Sequence, residues 1–479
     1  MYKLYSLKWV AKYLAIAVAT IVFWRMTIGF GAIVTAILAM TAVARKKPME
    51  LLFWTLFMAL SACGNRQVFV VNIISVLTVR CAFLILAIML FSHSTGGDRV
   101  TRITVSFWGL LTYLAWECAI SFQGFEPIVS YLKLFLFFSV FIVVLGVAAF
   151  VSNSENSDES NVRAIMLCIV SIIIVGSILV IPLPGIAYMS DEDAIVAMLA
   201  GETTSLFRGM TNHSQALGPI VAITGTFLFA DLAFYIRSWD KFYLLLIAAA
   251  PVLIYKSSSR TGMGALIAGV GMAVFFMLRA RGLNKSWRGR LTMAVNTLVF
   301  ITVIAVCAVP SLRTNVGSFM LKWNTKQTSE VTVEGMLSTR QGKIDIAINN
   351  FKKKPLLGNG FQVSEDMMMD NRKDFKDYLA APIEKGVWIY AILEEGGVVG
   401  LALFVFWFIG MLVAMARRQL YVGASVFFSF IISNLGEFSM FSMTYTGGFY
   451  WMFTIAATCL DIQRIKRERG MFLPQNMIA

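Results

Sequence analysis

The chain has 479 residues, of which 58% are hydrophobic and 14% are charged, and its formal net charge is +14. Soluble domains carry about a quarter charged residues, so this composition excludes an ordinary soluble protein and indicates a polytopic membrane protein. Lys and Arg in cytoplasmic loops explain the positive charge, so we do not expect a nucleic-acid partner. Such a basic surface could contact anionic lipid, which makes membrane lipid an expected partner.

Apolar segments that are candidates for membrane spans follow one another along most of the chain. They predict an all-α polytopic membrane protein with about 12–14 transmembrane helices, the first three segments being short. The candidate segments are 10–24, 27–43, 50–62, 68–91, 103–121, 133–151, 164–183, 216–236, 241–255, 261–279, 291–309, 387–415, 419–436 and 440–461.

Four basic clusters predict the orientation of these spans, because Lys and Arg concentrate in cytoplasmic loops. Counting the spans between the clusters places all of them on one side, which predicts cytoplasmic termini and an external loop before residue 387. The clusters are Arg45 to Lys47, Arg279 to Arg290, Arg417-Arg418, and Arg464 to Arg469.

The polar block 310–386 divides the chain into N-terminal helices (1–309), a large external loop (310–386) and C-terminal helices with a tail (387–479). A capping pattern at Ser338 to Gln341 precedes apolar residues at helical spacing. It predicts an amphipathic helix along the membrane surface that ends before Pro355. The alternative is a solvent-facing helix whose role is packing.

Three arginines come from segments that this orientation places outside: Arg208, Arg260 and Arg340. A guanidinium grips phosphate bidentately, so the three could converge on one diphosphate. The alternative is that each side chain extends to lipid headgroups. Their recurrence on one external surface favours the shared site.

Other candidate site residues lie in the same external segments. Gly358 and Gly360 permit close backbone approach, either for a loop that closes over a substrate or for a helix stop. His213 could be a general base or a helix cap. Glu384 lies where the loop returns to the membrane, which suits a base.

Acidic residues also occur within or near the apolar segments. Buried carboxylates serve as proton relays in transporters or as bases in enzymes. The alternative is an interfacial acid that is solvated or paired with a nearby Lys or Arg. The residues concerned are Glu117, Asp231, Glu394, Glu395 and Glu437.

The six cysteines all fall within or at the edges of apolar segments. None has the spacing of metal ligands, so we expect neither a disulfide framework nor a bound metal. They are Cys63, Cys81, Cys118, Cys168, Cys307 and Cys459.

Four motifs together resemble the O-antigen ligase and O-antigen polymerase superfamily of bacterial membrane glycosyltransferases. Their order and predicted topology match that family over about residues 200–450. The motifs are Arg208-Gly209 through Asn212-His213 and Gly218; Ser259-Arg260-Thr261; Arg340 to Gly360, which ends in a Pro-Leu-x-Gly-x-Gly run; and Glu395 to Gly400.

One position departs from the family pattern. The ligases carry a histidine, usually followed by Asn, where the large loop returns to the membrane. Here the sequence is Glu384-Lys385-Gly386-Val387. The chain is therefore more similar to the polymerase branch, in which Glu384 would be the substitute base.

The resemblance implies glycosyl transfer on the outer face of the bacterial inner membrane. The donor would be a glycan on undecaprenyl diphosphate, and Arg208, Arg260 and Arg340 would bind that diphosphate. A carboxylate or His213 would deprotonate the acceptor, and the loop would close over both substrates. The scheme needs no nucleotide, metal or other cofactor. The product would be O-antigen, capsule or exopolysaccharide, and a chain-length regulator is a further expected partner.

Two other functions remain open at the level of the sequence. A ligase would transfer the glycan to lipid A-core instead of a second repeat unit. A flippase or secondary transporter would use the intramembrane acids without chemistry, although we see no paired halves of the kind common in transporters.

Overall fold

The structure, a computed structural model, describes residues 7–27, 30–69, 73–94, 101–154, 158–188, 207–280, 285–308, 319, 341–364, 385, 387–436, 438–442 and 446–468. Helices dominate these ranges, and the described residues contain no β-strand. An isolated bridge pairs Tyr188 with Phe207. All of the predicted apolar segments overlap a helix.

The helices, numbered here in chain order, begin and end as follows. They are α1 (Leu7–Met26), α2 (Gly31–Ala44), α3 (Pro48–Ala62), α4 (Arg66–Phe69), α5 (Ile73–Ser94), α6 (Thr101–Ser121), α7 (Pro127–Asn153), α8 (Glu159–Leu179), α9 (Pro184–Ala187), α10 (Ser214–Asp231), α11 (Lys241–Lys256), α12 (Arg260–Arg279), α13 (Lys285–Ala308), α14 (Gln341–Lys353), α15 (Trp388–Arg417), α16 (Tyr421–Ser433) and α17 (Thr446–Glu468). A π-helical turn, Leu232–Ile236, extends α10.

Seven helices among the described residues are long and apolar enough to cross a membrane: α1, α5, α7, α8, α10 with its π-helical turn, α12 and α15. Helices α2, α3 and α16 are apolar but shorter. These helices confirm the prediction of an all-α, multi-pass membrane protein. The larger count of about 12–14 spans stays a prediction.

Contacts divide the chain into two compact units. Unit 1 comprises residues 1–172, 343–424 and 434–479, and unit 2 comprises residues 173–342 and 425–433. Each unit therefore joins segments that are far apart in sequence, including segments on both sides of the predicted loop.

In unit 1, α6 packs along α15, α5 packs against α2 and α7, and α17 packs against α3 and α7. A group of buried aromatic rings lies where these helices meet. The ring of Phe441 is central to it, with centroid distances of 5.0 Å to Phe137, 5.5 Å to Tyr113 and 5.6 Å to Phe361. Aromatic pairs at such distances add to the free energy of burial.

In unit 2, α10 is the central helix and packs against α11 and α12. All of its apolar window is buried within the protein. Glycines allow the close approach of α10 and α12, since a Cβ at Gly262 would lie 2.6 Å from the carbonyl carbon of Gly218. Asp240 caps α11 by accepting from the backbone N–H groups of Phe242 and Tyr243.

The predicted amphipathic helix of the polar block is present as α14. It buries Ile344, Ala347 and Asn350, and it ends two residues before Pro355, as the position of the proline requires. Of the block 310–386, the structure describes residues 319, 341–364 and 385.

Candidate functional site

A break in α15 organises the candidate site of unit 1. The helix is interrupted at Gly397, whose φ of 65° and ψ of −166° are far from helical values. Few residues other than glycine adopt this conformation. The break lies within the sequence Glu394-Glu395-Gly396-Gly397 and frees backbone carbonyl and N–H groups that an intact helix would pair internally.

A segment that follows α14, residues 354–364, satisfies these freed groups; we call it the strap. The N–H of Asn359 donates to the carbonyl of Glu394 at 2.8 Å, and the N–H of Gly360 donates to that of Glu395 at 3.0 Å. In return, the N–H of Val398 donates to the carbonyl of Pro355 at 2.9 Å. The strap thus pairs with the broken helix through its backbone.

Both strap glycines have positive φ, 72° at Gly358 and 102° at Gly360. A Cβ at Gly358 would overlap the carbonyl of Glu395. The predicted close backbone approach is therefore present, and its partner among the described residues is α15. Their predicted role in closing over a substrate stays a prediction.

The strap is also fixed to the end of α6 and to the α6–α7 connection. The N–H of Phe361 donates to the hydroxyl of Ser121 at 3.2 Å, and the Lys354 ammonium donates to the carbonyl of Gln123 at 2.6 Å. From α6, the Trp116 indole N–H donates to the carbonyl of Gly396 at 2.9 Å. Three separate parts of unit 1 therefore meet at the break.

A buried ionic group lies beside the break. Lys385, which precedes α15 by three residues, is 0% exposed, as are Glu394 and Glu395. Its ammonium lies 3.3 Å from the carboxylate of Glu394 and 3.0 Å from that of Glu395, and it donates to the carbonyl of Val363 at 2.7 Å. Burial lowers the pKa of Lys385, but the two carboxylates outweigh this effect and raise the pKa above its ordinary value. The ammonium therefore stays charged at neutral pH.

Two further residues orient Glu394. Its Oε1 accepts from the side-chain amide of Asn350 at 2.9 Å and from the hydroxyl of Ser364 at 2.5 Å. Asn350 is on α14 and Ser364 ends the strap. The carboxylate thus joins α14, the strap, Lys385 and α15 into one network.

Glu117 of α6 completes the set of carboxyl groups, and we call Glu117, Lys385, Glu394 and Glu395 the ionic cluster. Glu117 is 0% exposed, and its Oε1 lies so close to Gly396 that a Cβ there would overlap it. The polar side chain that faces it is the hydroxyl of Tyr113, one turn earlier on α6.

Unit 2 carries two of the three predicted arginines and the predicted histidine at one end of its helices. The 207–218 segment and the turn after α11 pack together there. A Cβ at Gly218 would overlap the side chain of Ser259, and the Lys256 ammonium lies 5.9 Å from the ring centroid of Phe207. We call Arg208, His213, Lys256 and Arg260 the basic cap.

Arg208 is largely buried within the basic cap. Its Nε donates to the carbonyl of Ile186 at 3.2 Å and its Nη2 donates to the carbonyl of Gly185 at 3.3 Å. These contacts fix the guanidinium against α9. Some of the hydrogen-bond donors of this guanidinium therefore stabilise the fold.

Arg260 is the first residue of α12. Ser259 caps that helix, its hydroxyl accepting from the N–H of Gly262 at 3.1 Å. The Ser-Arg-Thr motif is therefore a helix start, and Arg260 lies in its first turn. Helix N-termini also carry a partial positive charge, which favours anions.

His213 caps α10. Its Nδ1 accepts from the N–H of Gln215 at 3.1 Å, so the helix-cap alternative is the one present here. With Nδ1 as an acceptor, the neutral imidazole carries its proton on Nε2 and has no free lone pair for a base. A role as general base stays a prediction and would require this cap to open.

Three predicted residues, Arg340, Glu384 and Glu437, lie outside the described residues. Arg208 and Arg260 do share one end of unit 2.

Asp231 is buried and accepts from the Tyr243 hydroxyl at 2.5 Å. Glu394 and Glu395 each form an ion pair with Lys385, which is one of the alternatives that the sequence left open.

Sequence reasoning missed Lys385, Asn350 and Ser364. A lysine placed three residues before an apolar helix that contains two glutamates is a signal for the ion pair. The amide and hydroxyl partners carry no such signal, because their contacts depend on how α14 and the strap fold.

No protein-family model and no curated protein matches this chain. Among the described residues, no group of three or more His, Cys, Asp and Glu residues has the geometry to hold a metal ion.

Proposed function

We propose that this protein is a membrane glycosyltransferase that polymerises oligosaccharide repeat units carried on undecaprenyl diphosphate into a surface polysaccharide. The supporting observation is that the motifs that resemble the O-antigen ligase and polymerase superfamily pair within each unit. In unit 2 the segment through Gly218 packs on Ser259 and Gly262. In unit 1 the strap is hydrogen-bonded to the Glu-x-Gly-x-x-Gly segment of α15.

In this proposal the basic cap binds the diphosphate of the donor. Arg208, Arg260 and Arg340 would stabilise the negative charge that develops on the leaving group, a preorganised electrostatic role. The acceptor hydroxyl would attack the anomeric carbon while the bond from that carbon to the diphosphate breaks. The hydroxyl proton would pass to a base, for which Glu384 is the first candidate and His213 the second.

The proposal includes a topology in the bacterial inner membrane. About 12–14 helices would span it, both termini would be cytoplasmic, and residues 310–386 would form the external loop that closes over the substrates. The acceptor would be a second lipid-linked repeat unit, and a chain-length regulator would be a partner. If lipid A-core were the acceptor, the same site would make the protein an O-antigen ligase.

The ionic cluster favours a second candidate from another class. Transporters often place buried carboxylates beside a broken helix, where they bind protons or substrate. The break at Gly397 beside Glu394 and Glu395 has this arrangement. A polysaccharide flippase or secondary transporter is therefore the alternative to test.

The first experiment uses purified protein and a panel of synthetic undecaprenyl-diphosphate-linked repeat units, in EDTA and without nucleotide. We expect a ladder of products from the wild type. Arg260→Ala should reduce ladder formation at least tenfold, and Arg260→Lys should restore part of it because the positive charge is kept.

Arg279→Ala is the matched control, since Arg279 ends the same helix and is exposed. It should leave the ladder unchanged. Equal ladders from wild type and Arg260→Ala would contradict the assignment of the basic cap to the diphosphate. Transfer that appears only with lipid A-core would identify a ligase.

The transport alternative is tested with the same protein in liposomes that contain a labelled lipid-linked glycan. Translocation without any ladder would replace the polymerase proposal. A ladder without translocation would support it.

A further inference from the structure

The ionic cluster brings three carboxyl groups and one ammonium together out of contact with water. Glu117, Glu394, Glu395 and Lys385 are each 0% exposed. Lys385 can balance one negative charge. If all three carboxyls were ionised, the cluster would hold two uncompensated negative charges, which is strongly unfavourable in a buried setting.

Ion pairing identifies which carboxyl is neutral. Glu394 and Glu395 both form ion pairs with the Lys385 ammonium, and Glu394 also accepts from Asn350 and Ser364. Among the described residues, Glu117 forms no ion pair, and the polar side chain that faces it is the neutral hydroxyl of Tyr113.

The position of Glu117 leads to the same assignment. Its carboxyl lies against the backbone of Gly396, and Glu395 and Lys385 are the charged groups that act on it electrostatically. Two carboxylates so close together repel each other, and a proton on one of them removes the repulsion. Glu395 is already paired with the ammonium, so Glu117 is the group that gains most from the proton.

We propose that Glu117 is a proton-binding site, and that the protein folds with one proton on this carboxyl, where it holds α6 against the break in α15. The ligand is the proton itself. The site is distinct from the diphosphate site of the proposed function and does not depend on it.

The surroundings of Glu117 determine how it responds to pH. On its own helix, the Tyr113 hydroxyl lies one turn earlier and faces the carboxyl as a hydrogen-bonding group. From the α15 side, the facing groups are Glu394, Glu395 and Lys385. On α7, which packs against α6, the buried charge is Lys133, whose ammonium donates to the carbonyl of Gln362 at 3.0 Å.

Proton binding at Glu117 couples stability to pH in a defined direction. In the unfolded chain Glu117 would lose its proton near the ordinary pKa of glutamate, so at neutral pH the folded state binds one more proton than the unfolded state. Stability therefore falls as pH rises, and each pH unit shifts the unfolding equilibrium by about tenfold.

The test is infrared spectroscopy of the full-length protein in detergent at neutral pH. The carbonyl stretch of a protonated carboxylic acid should be present in the wild type and lost in Glu117→Gln. Glu126→Gln, at an exposed carboxylate that precedes α7, is the matched control and should leave the band unchanged. Absence of the band in the wild type, or equal bands in wild type and Glu117→Gln, would overturn the proposal.

Thermal unfolding gives a second readout. Glutamine has the shape of a protonated glutamate, so Glu117→Gln should fold with an unchanged midpoint at neutral pH and should weaken the fall of the midpoint with rising pH. Lys385→Met leaves Glu394 and Glu395 without their counter-charge and should lower the midpoint. Failure of Glu117→Gln to fold, or a midpoint lowered as far as in Lys385→Met, would show that Glu117 is ionised.

Discussion

The ionic cluster of unit 1 and the basic cap of unit 2 fix their cations in different ways. Lys385 is fully buried and lies against two carboxylates, so its charge is cancelled where it lies. Arg208 donates to the carbonyls of Gly185 and Ile186, and Lys256 lies over the Phe207 ring.

This difference matters for the chemistry of the two clusters. The Lys385 ammonium, which lies between two carboxylates, has little charge left to offer a phosphate. We therefore expect substitutions in the ionic cluster to change stability first, and substitutions in the basic cap to change substrate binding first.

The largest expected effect comes from Lys385→Met. Removing the ammonium leaves Glu394 and Glu395 as uncompensated buried carboxylates, and breaking a buried pair in this way costs about 3–5 kcal/mol of stability. Thermal unfolding in detergent measures the loss. Lys47→Met is the control: Lys47 and Glu50 form a pair with side chains 48% and 48% exposed, so it should cost about 0–1 kcal/mol. Equal losses in the two variants would contradict the assignment.

The next largest loss of stability is expected from Gly397→Ala, at the break in α15. At Gly397, alanine would have to adopt a φ of 65° with a ψ of −166°, a region that is occupied almost only by glycine, and this costs about 1–3 kcal/mol. Its Cβ would also overlap the carbonyl of Leu356, which adds about 1–3 kcal/mol. Gly410→Ala on the same helix has open space and should stabilise the protein by about 0.5–1 kcal/mol. A Gly397→Ala variant as stable as Gly410→Ala would show that the helix is not broken in solution.

A smaller effect is expected in unit 2 from Gly218→Ala. The added methyl group would overlap Ser259 and separate α10 from the start of α12, at a cost of about 1–3 kcal/mol. It should also displace Arg260 and reduce ladder formation beyond the loss of stability. Gly264→Ala, where no atom lies within 4 Å of the new Cβ, is the control for both measurements.

The smallest effect is expected from substitutions of His213. These variants test whether the residue is a helix cap or a catalytic base. His213→Ala should cost about 1 kcal/mol through loss of the cap, and His213→Asn should retain most of that stability. If both variants keep the wild-type rate of ladder formation, His213 acts as a cap. A variant His213→Asn that is stable and inactive would instead support the base.

The fold was predictable where a single segment determines it. Apolar length located the helices, and Pro355 with the preceding apolar spacing located α14. The break in α15 was only partly indicated, because Gly396-Gly397 permits a break but does not require one. What makes it stable is the strap, whose Asn359 and Gly360 supply donors from more than 30 residues away in sequence.

The candidate site was less predictable, because charge pairing depends on tertiary contacts. The sequence alone left two alternatives for Glu394 and Glu395, relay or pair, since a nearby Lys385 is compatible with both. The closeness of Glu117 to Gly396 links residues that are far apart in the chain, and no local pattern encodes it. The sequence predicts an outer segment for Arg208, but the contacts of this residue to α9 could not be foreseen.

The break in α15 also has a consequence for biogenesis. A membrane helix that inserts alone must satisfy its own backbone, because lipid offers no hydrogen-bond partners. The part of α15 after Gly397 can satisfy its own backbone. The carbonyls of Glu394 and Glu395 instead accept from the strap, which precedes α15 in sequence and is synthesised first. The first part of α15 therefore enters its final position together with the strap, so that insertion of this helix and folding of the protein around it are a single event.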